Sequence, residues 1–474
     1  MYNPDNQYRC TIIRGKSQVD MENLLSLYAN IVDRTCPCAL ELFRTEGFRM
    51  LSKALFNTED YGNLSASNQK TVQNHLTEVA GSLLGPYYPY TDPDTGTVYV
   101  RKSAACQFLI DSNDYPTFFK NLCLNFQFPN GSKSKKYIEE DFAHGVHIKP
   151  FCYVVKLLHH AQNREDKMVL TKQEIGYYVL NNLDVLRGEV SVETVCDRIA
   201  KDRKNGITKD KLTGSRDWQH IKEQFNLLEL ADIIECDSTY VWLNHAETES
   251  IAMFIDHLEE PFFEYNSDDL DSAVGKTAYI EQWKQYYGKF NEQLAKISAP
   301  ATIASASQGG AEAVLGMHKS TTDLGNEGEA LVLRLEQERV RAYKARLVNK
   351  VLLLGNIKGL GYDISSIEAD EDAEHPEFAR YIEVKSTRRI TEPTFDAEWS
   401  DSMNLTAKEW IAAQQYGEHY NVYRVYFTKN KTIVVRVKDP YRLSQEQRID
   451  VYPTVYQMNI DASVIEKRYV DAHA

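Results

Sequence analysis

The stretch Tyr381-Ile-Glu-Val-Lys-Ser386 carries the pattern that decides the fold of the C-terminal part of the chain. Apolar and charged residues alternate in it, which predicts a strand because successive side chains point to opposite faces of a sheet. Glu383 and Lys385 would then share one face, while Ile382 and Val384 pack behind them. Taken alone, such an alternation is usually an exposed strand edge, so the neighbouring elements decide its meaning.

The predicted elements around this strand are a helix start at 324–333, a short strand entered through glycines at 359–364, a helix from 406 and a strand at 420–427. Glu329 lies in the first helix three and four residues before apolar positions, which places it on the same face as them. Asp363 lies in the first strand. Thr406 and Glu409 form a capping box that begins the second helix.

This order of residues is typical of metal-assisted phosphodiester hydrolysis. Mg²⁺ takes oxygen ligands, usually one or two carboxylates together with several waters. Asp363 and Glu383 on adjacent strands are candidates to hold Mg²⁺, with Mn²⁺ as a substitute, and Glu329 would complete the shell or bind a second ion. Lys385 lies about 6–7 Å further along the same strand face, where it would position the attacking water or offset developing charge.

Residues from about 320 to 465 resemble the NO VEIN C-terminal domain family, a branch of the PD-(D/E)XK nuclease superfamily. The matching stretches are Gly325-Asn-Glu-Gly-Glu329, Gly361-Tyr-Asp-Ile364, Tyr381-Ile-Glu-Val-Lys385, Leu405-Thr-Ala-Lys-Glu-Trp410 and Tyr423-Arg-Val-Tyr426. The resemblance implies a central mixed sheet flanked by helices, the helix carboxylate at Glu329, metal-binding acids at Asp363 and Glu383, and the catalytic lysine at Lys385. Tyr362 departs from the superfamily pattern, which has proline before the aspartate.

The chain is predicted to be a multidomain α+β protein. Small residues without apolar period in Ala299–Gly310 indicate a flexible tether, and the turn-rich stretch Phe128–Ser134 indicates a second boundary. The predicted parts are a mixed domain of unknown role (1–130), a winged-helix-like DNA-recognition region (131–250), a helical closing segment (251–298), a linker (299–320) and a PD-(D/E)XK nuclease-like domain with a central mixed sheet (321–465).

The predicted recognition region has the element order of a winged helix, which is a common DNA-binding module. Its predicted elements are a helix at 148–160, a helix that begins at the capping box of Thr171 and Glu174, a helix at 218–230 and a hairpin around Cys236–Thr239. Such an order also occurs in domains that bind no DNA. The strings Phe128-Pro-Asn-Gly, His147-Ile-Lys-Pro-Phe151, Val155-Lys-Leu-Leu158 and Leu170-Thr-Lys-Gln-Glu174 resemble the recognition region of AlwI-type restriction endonucleases.

The distribution of charge matters more for DNA binding than the total. The 54 Lys and Arg against 68 Asp and Glu give a net charge of −14, which disfavours non-specific attraction to a polyanion. One segment is basic, however, and its candidate DNA contacts are Arg198, Lys201, Arg203, Lys204, Lys209, Lys211 and Arg216. We expect this loop to make binding salt-sensitive, and the acidic segment 229–275 to lie away from DNA or to shield the loop.

Two further arginines, Arg388 and Arg389, follow the Glu-Val-Lys strand directly. They are candidates to grip a phosphate near the scissile bond, and the alternative is that they solvate the end of the strand. The eight cysteines form no Cys-x-x-Cys pair, which favours reduced thiols over a zinc site. We find no membrane-spanning run or signal peptide pattern, so a cytoplasmic location is expected.

The leading hypothesis is a Mg²⁺-dependent endonuclease of restriction type that hydrolyses foreign double-stranded DNA in antiviral defence. A separate recognition region would suit cleavage at a short distance from the recognised sequence. Double-strand cleavage would require a homodimer or sequential nicking, and a partner protein of a defence system remains an alternative. The competing hypothesis is a non-cleaving DNA-binding subunit in which the nuclease fold serves as a scaffold. An RNA nuclease is less favoured, because no RRM-like aromatic signature is present.

Overall fold

The computed structural model describes residues 16–208, 215–260, 262–264, 272–297, 321–355, 357, 359–395, 399 and 401–451. The α-helices are Gln18–Thr35 (α1), Leu40–Phe56 (α2), Ala66–Asn74 (α3), Ala104–Ser112 (α4), Tyr115–Asn125 (α5), Lys135–Ala143 (α6), Pro150–Asn163 (α7), Lys172–Ile175 (α8), Leu183–Leu186 (α9), Val192–Lys204 (α10), Ser215–Leu230 (α11), Thr248–His257 (α12), Ala273–Tyr287 (α13), Thr321–Lys344 (α14), Ala407–Tyr416 (α15) and Pro440–Gln445 (α16). The strands are Cys38–Ala39 (β1), Tyr87–Thr91 (β2), Val98–Lys102 (β3), Leu170–Thr171 (β4), Ile234–Cys236 (β5), Tyr240–Leu243 (β6), Leu352–Leu353 (β7), Ile364–Ile367 (β8), Ala379–Arg388 (β9), Tyr420–Phe427 (β10) and Thr432–Lys438 (β11).

One continuous apolar core, from Met21 to Leu294, holds the N-terminal unit together. The predicted boundary near residue 130 is therefore not a boundary in the packing. Gly131 lies directly against the ring of Trp283 in α13, and Trp283 is fully buried. The described residues of the segment 251–298, which was predicted as a separate closing element, contribute Ile251, Phe254, Trp283, Tyr287 and Leu294 to the same core. A turn-rich sequence looks like a boundary, but here burial of its residues makes it an internal loop.

The order of elements from β4 to β6 positions the candidate recognition surface. Leu170 of β4 pairs with Val241 of β6, and β5 pairs with β6 as a hairpin, so the strand order is β4-β6-β5. Thr171 and Glu174 form the predicted capping box at the start of α8. The predicted hairpin around Cys236–Thr239 is also confirmed, and Asp237 closes its turn by accepting the backbone N–H groups of residues 239 and 240, both at 2.6 Å.

The C-terminal unit is a five-stranded mixed sheet in the order β11-β10-β9-β8-β7. β9 and β10 are parallel, and the other neighbouring pairs are antiparallel. Helix α14 packs on β9 and helix α15 packs on β10, so the predicted mixed sheet with flanking helices is confirmed. The strand predicted at 359–364 begins at Ile364, after a turn through 359–363. The predicted linker (299–320) and residues 452–465 of the predicted nuclease-like domain lie outside the described residues, as does residue 298.

The two units touch through buried charged groups at the end of β9. Arg388 pairs with Asp114 at 2.8 Å, and its backbone N–H donates to the Asn113 carbonyl at 3.0 Å. Arg389 lies 3.5 Å from Glu22 and donates to Asn23 at 2.8 Å. Glu22 is buried and also accepts the backbone N–H groups of residues 390 and 391. The C-terminal unit is therefore docked on the N-terminal unit as well as connected to it.

Three further features of the described residues are a buried lysine, the state of the cysteines and the character of the helices. Lys284 of α13 is buried, and its ammonium donates to the Gly81 carbonyl and, at 2.9 Å, to the Ser132 hydroxyl. The described cysteines, from Cys36 to Cys236, are free thiols. Across the described ranges, no helix combines the length and the apolar character that crossing a bilayer requires.

Candidate functional site

The central strand β9 places Glu383 and Lys385 on one face, as the alternation predicted. The Lys385 ammonium lies 2.7 Å from Glu383 Oε1. Ile382 and Val384 point the other way into the apolar core beneath α14. β9 lies between β8 and β10, so its side chains are held by neighbours on both sides.

Asp363 is fixed against the same strand from the neighbouring chain segment. Its backbone N–H donates to the Ile382 carbonyl at 2.8 Å, and its Oδ2 accepts the backbone N–H of Val384 at 2.8 Å. These two bonds on either side of Glu383 bring the two carboxylates together. The structure therefore assembles Asp363, Glu383 and Lys385 as the sequence predicted.

Glu329 reaches the site from α14 because two glycines leave room for it. Gly328 packs against Ser386 of β9, where a side chain would collide. At Gly355, an added Cβ would lie 2.6 Å from Glu329 Oε2 and 3.4 Å from Asp363 Oδ1. These two oxygens thus face one open space beside the exposed Gly355, which is a cradle that any other residue would fill.

Glu409 is a site residue whose role the sequence did not reveal. Its Oε2 lies 2.8 Å from the Lys385 ammonium and also accepts the backbone N–H of Thr406 at 2.9 Å. The predicted capping box is confirmed, and the same carboxylate that completes it also holds the lysine. The capping box was the only signal in the sequence, and it says nothing about a partner on another element.

The crowded carboxylates shift one another's pKa values. Burial, together with the charge of Asp363, raises the pKa of Glu329 to about 7. Burial likewise raises the pKa of Asp363 and of Glu383, against the opposing effect of Lys385. Burial alone would lower the pKa of Lys385, but Glu383 and Glu409 raise it. The site therefore has an excess of negative charge that a cation would relieve.

The donor set fits a hard divalent ion. Carboxylate oxygens are what Mg²⁺ prefers, and the cradle beside Gly355 is lined by Glu329 and Asp363. In the described part of the chain, no group of three His, Cys, Asp or Glu side chains is already gathered around one ion position. Binding through one or two carboxylates with waters is the usual mode for Mg²⁺, and that mode requires no such group.

The basic residues 198–204 lie on a helix, which corrects the prediction of a loop. Ser191 caps α10, and apolar residues recur at helical spacing on its buried face: Val192, Val195, Cys196 and Ile199. The side chains of Arg198, Lys201 and Lys204 are exposed. These three cations are available to a phosphate.

The remaining predicted contacts on this segment differ from one another. Arg203 is engaged with Glu174 at 2.6 Å and with the Val169 carbonyl at 2.8 Å, so it ties α10 to the capping box of α8. Lys209 and Lys211 lie outside the described residues, as does the side chain of Arg216.

Arg388 and Arg389 are not placed to grip a phosphate, and this prediction is corrected. Both are buried, and each has a carboxylate partner in the N-terminal unit, Asp114 and Glu22 respectively. A buried guanidinium with a carboxylate partner gains little from a phosphate that it cannot reach without undocking. Their position in the sequence correctly places them at the end of the strand that carries Glu383 and Lys385, but it does not reveal their carboxylate partners in the N-terminal unit.

Part of the acidic segment 229–275 is neutralised within the fold. Asp232 and Glu235 pair with Lys429 of the C-terminal unit at 3.1 and 2.9 Å. Glu247 forms a fully buried pair with Lys120 at 2.7 Å. These acids hold the fold together and do not form a free acidic surface. Residues 265–271 lie outside the described residues.

Comparisons with known proteins match the two units separately. A family model described as "Restriction endonuclease BpuJI - N terminal" matches residues 2–286, and one described as "Protein NO VEIN, C-terminal" matches residues 328–437. None of the curated proteins compared matches the chain.

Among solved structures, the chain is similar to one titled "Crystal structure of pyrene- and phenanthrene-modified DNA in complex with the BpuJ1 endonuclease binding domain". The TM-score is 0.53 with 36% sequence identity, and the match covers 61% of this chain and 100% of that one. The two predicted resemblances, to a restriction endonuclease and to NO VEIN, are confirmed by the family models. Because the first model spans more than half of the sequence, the chain belongs to the family of the restriction endonuclease BpuJI N-terminal domain.

Proposed function

We propose that the chain is a Mg²⁺-dependent endonuclease of restriction type that cleaves foreign double-stranded DNA in antiviral defence. The observation that carries this proposal is the convergence of Asp363, Glu383 and Lys385 on adjacent elements of the sheet. The order α14-β7-β8-β9-α15-β10, with β9 and β10 parallel, fits a PD-(D/E)XK nuclease core.

Asp363 and Glu383 would hold the metal ion, with Glu329 completing the site from α14. When bound, Mg²⁺ supplies Lewis-acid polarisation of the phosphate and lowers the pKa of bound water. Lys385 is held by Glu383 and Glu409 at 2.7 and 2.8 Å, a geometry that keeps its ammonium fixed for orienting water or a phosphate oxygen. Glu409 acts through Lys385 and is a positioning residue.

The N-terminal unit is proposed to recognise the DNA sequence. The solved structure that it matches is a DNA complex of an endonuclease binding domain. The strand order β4-β6-β5 around α8, α10 and α11 fits a winged helix. In that arrangement the exposed cations of α10 would contact phosphates, and base contacts would set the specificity.

The test is a cleavage assay with plasmid and phage DNA, unmodified and methylated, in Mg²⁺ or Mn²⁺. Asp363→Ala, Glu383→Ala and Lys385→Ala should each abolish cutting while leaving DNA binding intact. Lys438→Ala is the matched control, since Lys438 is an exposed lysine on β11 of the same sheet. Cutting at the wild-type rate by Lys385→Ala would contradict the assignment. DNA binding by the wild type without cleavage under any of these conditions would favour a non-cleaving subunit instead.

A further inference from the structure

Three tyrosines form one aromatic cluster beside the candidate cleavage site. Tyr381 of β9 and Tyr416 of α15 are stacked, with ring centroids 3.7 Å apart and planes 22° apart. Tyr362 adjoins both, with its centroid 4.9 Å from that of Tyr381 and 6.0 Å from that of Tyr416. We call Tyr362, Tyr381 and Tyr416 the tyrosine cluster.

The cluster is continuous with the carboxylates. Tyr381 precedes Glu383 by two residues, so the two side chains share one face of β9 about 7 Å apart. Tyr362 directly precedes Asp363 in the chain. The exposed Lys408 lies beside the turn that leads into Tyr362, because its ammonium is 3.8 Å from the position that a Cβ on Gly359 would occupy. An aromatic surface and an exposed cation thus border the site on one side.

The cluster is the outer, half-buried edge of a small apolar core that includes Ala412, Ala413 and Tyr420. All three side chains are half-buried. In the part of the chain that the structure describes, none of their hydroxyls makes a hydrogen bond, and none is enclosed. The buried tyrosines of the adjacent strand β10 behave differently, because Tyr423 donates to Glu336 at 2.8 Å and Tyr426 donates to Asp401 at 2.9 Å. Closed packing on this sheet satisfies each hydroxyl, whereas the cluster leaves its hydroxyls to solvent.

We propose that the tyrosine cluster is a stacking platform for an unpaired DNA base next to the cleaved phosphate. In a duplex, neighbouring bases cover both faces of each base, so an aromatic ring can stack only where a base has left the helix or a base step has been opened. The site would accordingly take DNA that is single-stranded or locally opened at the point of cleavage. This inference rests on the proposed function, and DNA is the substrate because the N-terminal unit belongs to a restriction endonuclease family.

The test measures binding of a labelled oligothymidine to the full chain by fluorescence anisotropy in EDTA. Tyr381→Ala and Tyr416→Ala should each raise the Kd about 10-fold, as expected for loss of a stacked base. Tyr381→Phe and Tyr416→Phe should keep the wild-type Kd because the ring is retained. Tyr381→Leu, which keeps apolar volume without an aromatic face, guards against misfolding of the alanine variants and should show the same loss. Affinity for duplex DNA should be unchanged in all of them.

The matched control is Tyr441→Ala, because Tyr441 is a half-buried tyrosine of the same unit that packs on Trp410. Unchanged oligothymidine affinity in both alanine variants, or an equal loss in Tyr441→Ala, would overturn the inference. So would tighter binding of oligouridine RNA than of oligothymidine. The binding assay contains EDTA, so its result does not depend on cleavage. If binding depends on the tyrosines but the protein never cleaves DNA in Mg²⁺ or Mn²⁺, only the proposed function is contradicted. Normal cleavage with tyrosine-independent binding would contradict this inference alone.

Discussion

Among single residues, Glu329 is the one whose pKa bears most directly on the proposed metal site. Its pKa is raised to about 7 by burial and by Asp363. Between pH 4.5 and 7, Glu329 is protonated in the folded state and ionised in the unfolded state. The free energy of unfolding therefore falls as the pH rises through this range, and it stays at the lower value above pH 7. A bound cation would offset this cost, so the same side chain is unfavourable without metal and favourable with it.

Glu329→Gln should raise the Tm of the metal-free protein at pH 8 and leave it nearly unchanged at pH 5. The gain at pH 8 should be about 2–4 °C, the shift that ~1 kcal/mol produces in a unit of this size. Adding Mg²⁺ should raise the Tm of the wild type more than that of the variant. Calorimetry at the two pH values, with and without Mg²⁺, checks this. A variant that is less stable than the wild type at pH 8 would show that Glu329 is stabilised by other contacts.

Glu409→Gln and Thr406→Ala separate the two roles of one carboxylate. Glutamine keeps the acceptor for the Thr406 N–H but removes the charge beside Lys385, so cleavage should fall by about 10-fold or more with stability preserved. Thr406→Ala removes the cap and should cost about 1 kcal/mol of stability with cleavage per folded molecule unchanged. Cleavage rates and urea unfolding of both variants provide the measurement. Equal cleavage by the Gln variant and the wild type would exclude the positioning role.

The placements that the sequence predicted correctly are those that depend on local pattern. The alternation around Glu383 and Lys385 fixes their common face, whatever surrounds the strand. Arg388 and Arg389 belong to the same strand region, but their role depends on Asp114 and Glu22, which are more than 270 residues away in the chain. No local pattern carries that information, so the sequence offered only a phosphate contact or a solvated strand end and neither of these two partners.

At the scale of elements, α10 is the surface on which the proposed DNA binding depends. Neutralising Arg198, Lys201 and Lys204 to glutamine should weaken DNA binding and reduce the salt dependence. Each lost phosphate contact should lower the slope of log affinity against log salt by about 0.9. Arg203→Gln should change the slope less and destabilise the unit more, because Arg203 is paired with Glu174. Binding measured across a salt series tests this, and an unchanged slope in the triple variant would place recognition elsewhere.

Helix α13 contains a buried lysine that should make stability depend on pH. Burial lowers the pKa of Lys284 to about 7, whereas the unfolded chain keeps its lysine protonated up to about pH 10.5. The unfolded state therefore binds the extra proton between these values, and stability should rise with pH across this window. The difference in free energy of unfolding between wild type and Lys284→Met should change by about 1.4 kcal/mol per pH unit. Denaturant unfolding at pH 7.5 and 9 measures it, and a pH-independent difference would show that the lysine is charged in the fold.

Element prediction from sequence succeeded where caps and periods were strong and failed where polar residues dominated. The capping boxes at Thr171 and Thr406 began helices as predicted. Helix α10 was missed because its exposed face is a run of charges, although its buried face repeats at helical spacing. The boundary near residue 130 failed for the opposite reason, because turn residues can be buried when a partner such as Trp283 covers them.

At the scale of the whole molecule, the docking of the two units should depend on the buried pair of Arg388 and Asp114. Asp114→Asn keeps the cap of α5, which Asp114 provides to the Thr117 N–H, and asparagine is an equally good cap. It leaves Arg388 buried without a charge partner, which should weaken docking by about 3 kcal/mol. Small-angle scattering should then show a larger radius of gyration, and calorimetry should show two separated transitions. Asp111→Asn, an exposed change close by, is the control, and identical scattering of all three proteins would show that other contacts suffice.

The arrangement of the two units was beyond prediction from sequence, because the tether at 299–320 suggested independent domains. A flexible connection sets only how far two units can separate. Whether they separate depends on surface complementarity, here Glu22 accepting hydrogen bonds from residues 390 and 391. Such a contact joins residues that are 368 and 369 positions apart in the chain, so no local sequence pattern indicates it.

The path of β9 has a practical consequence for engineering. One unbroken strand carries Glu383 and Lys385 and ends at Arg388, which, like the following Arg389, contacts the N-terminal unit. A chimera that borrows a recognition module of different specificity must therefore supply acceptors equivalent to Glu22 and Asp114. Without them, the guanidinium groups of Arg388 and Arg389 would be buried between the two units with no carboxylate partner. The same strand carries the candidate catalytic residues, so their placement would also be at risk.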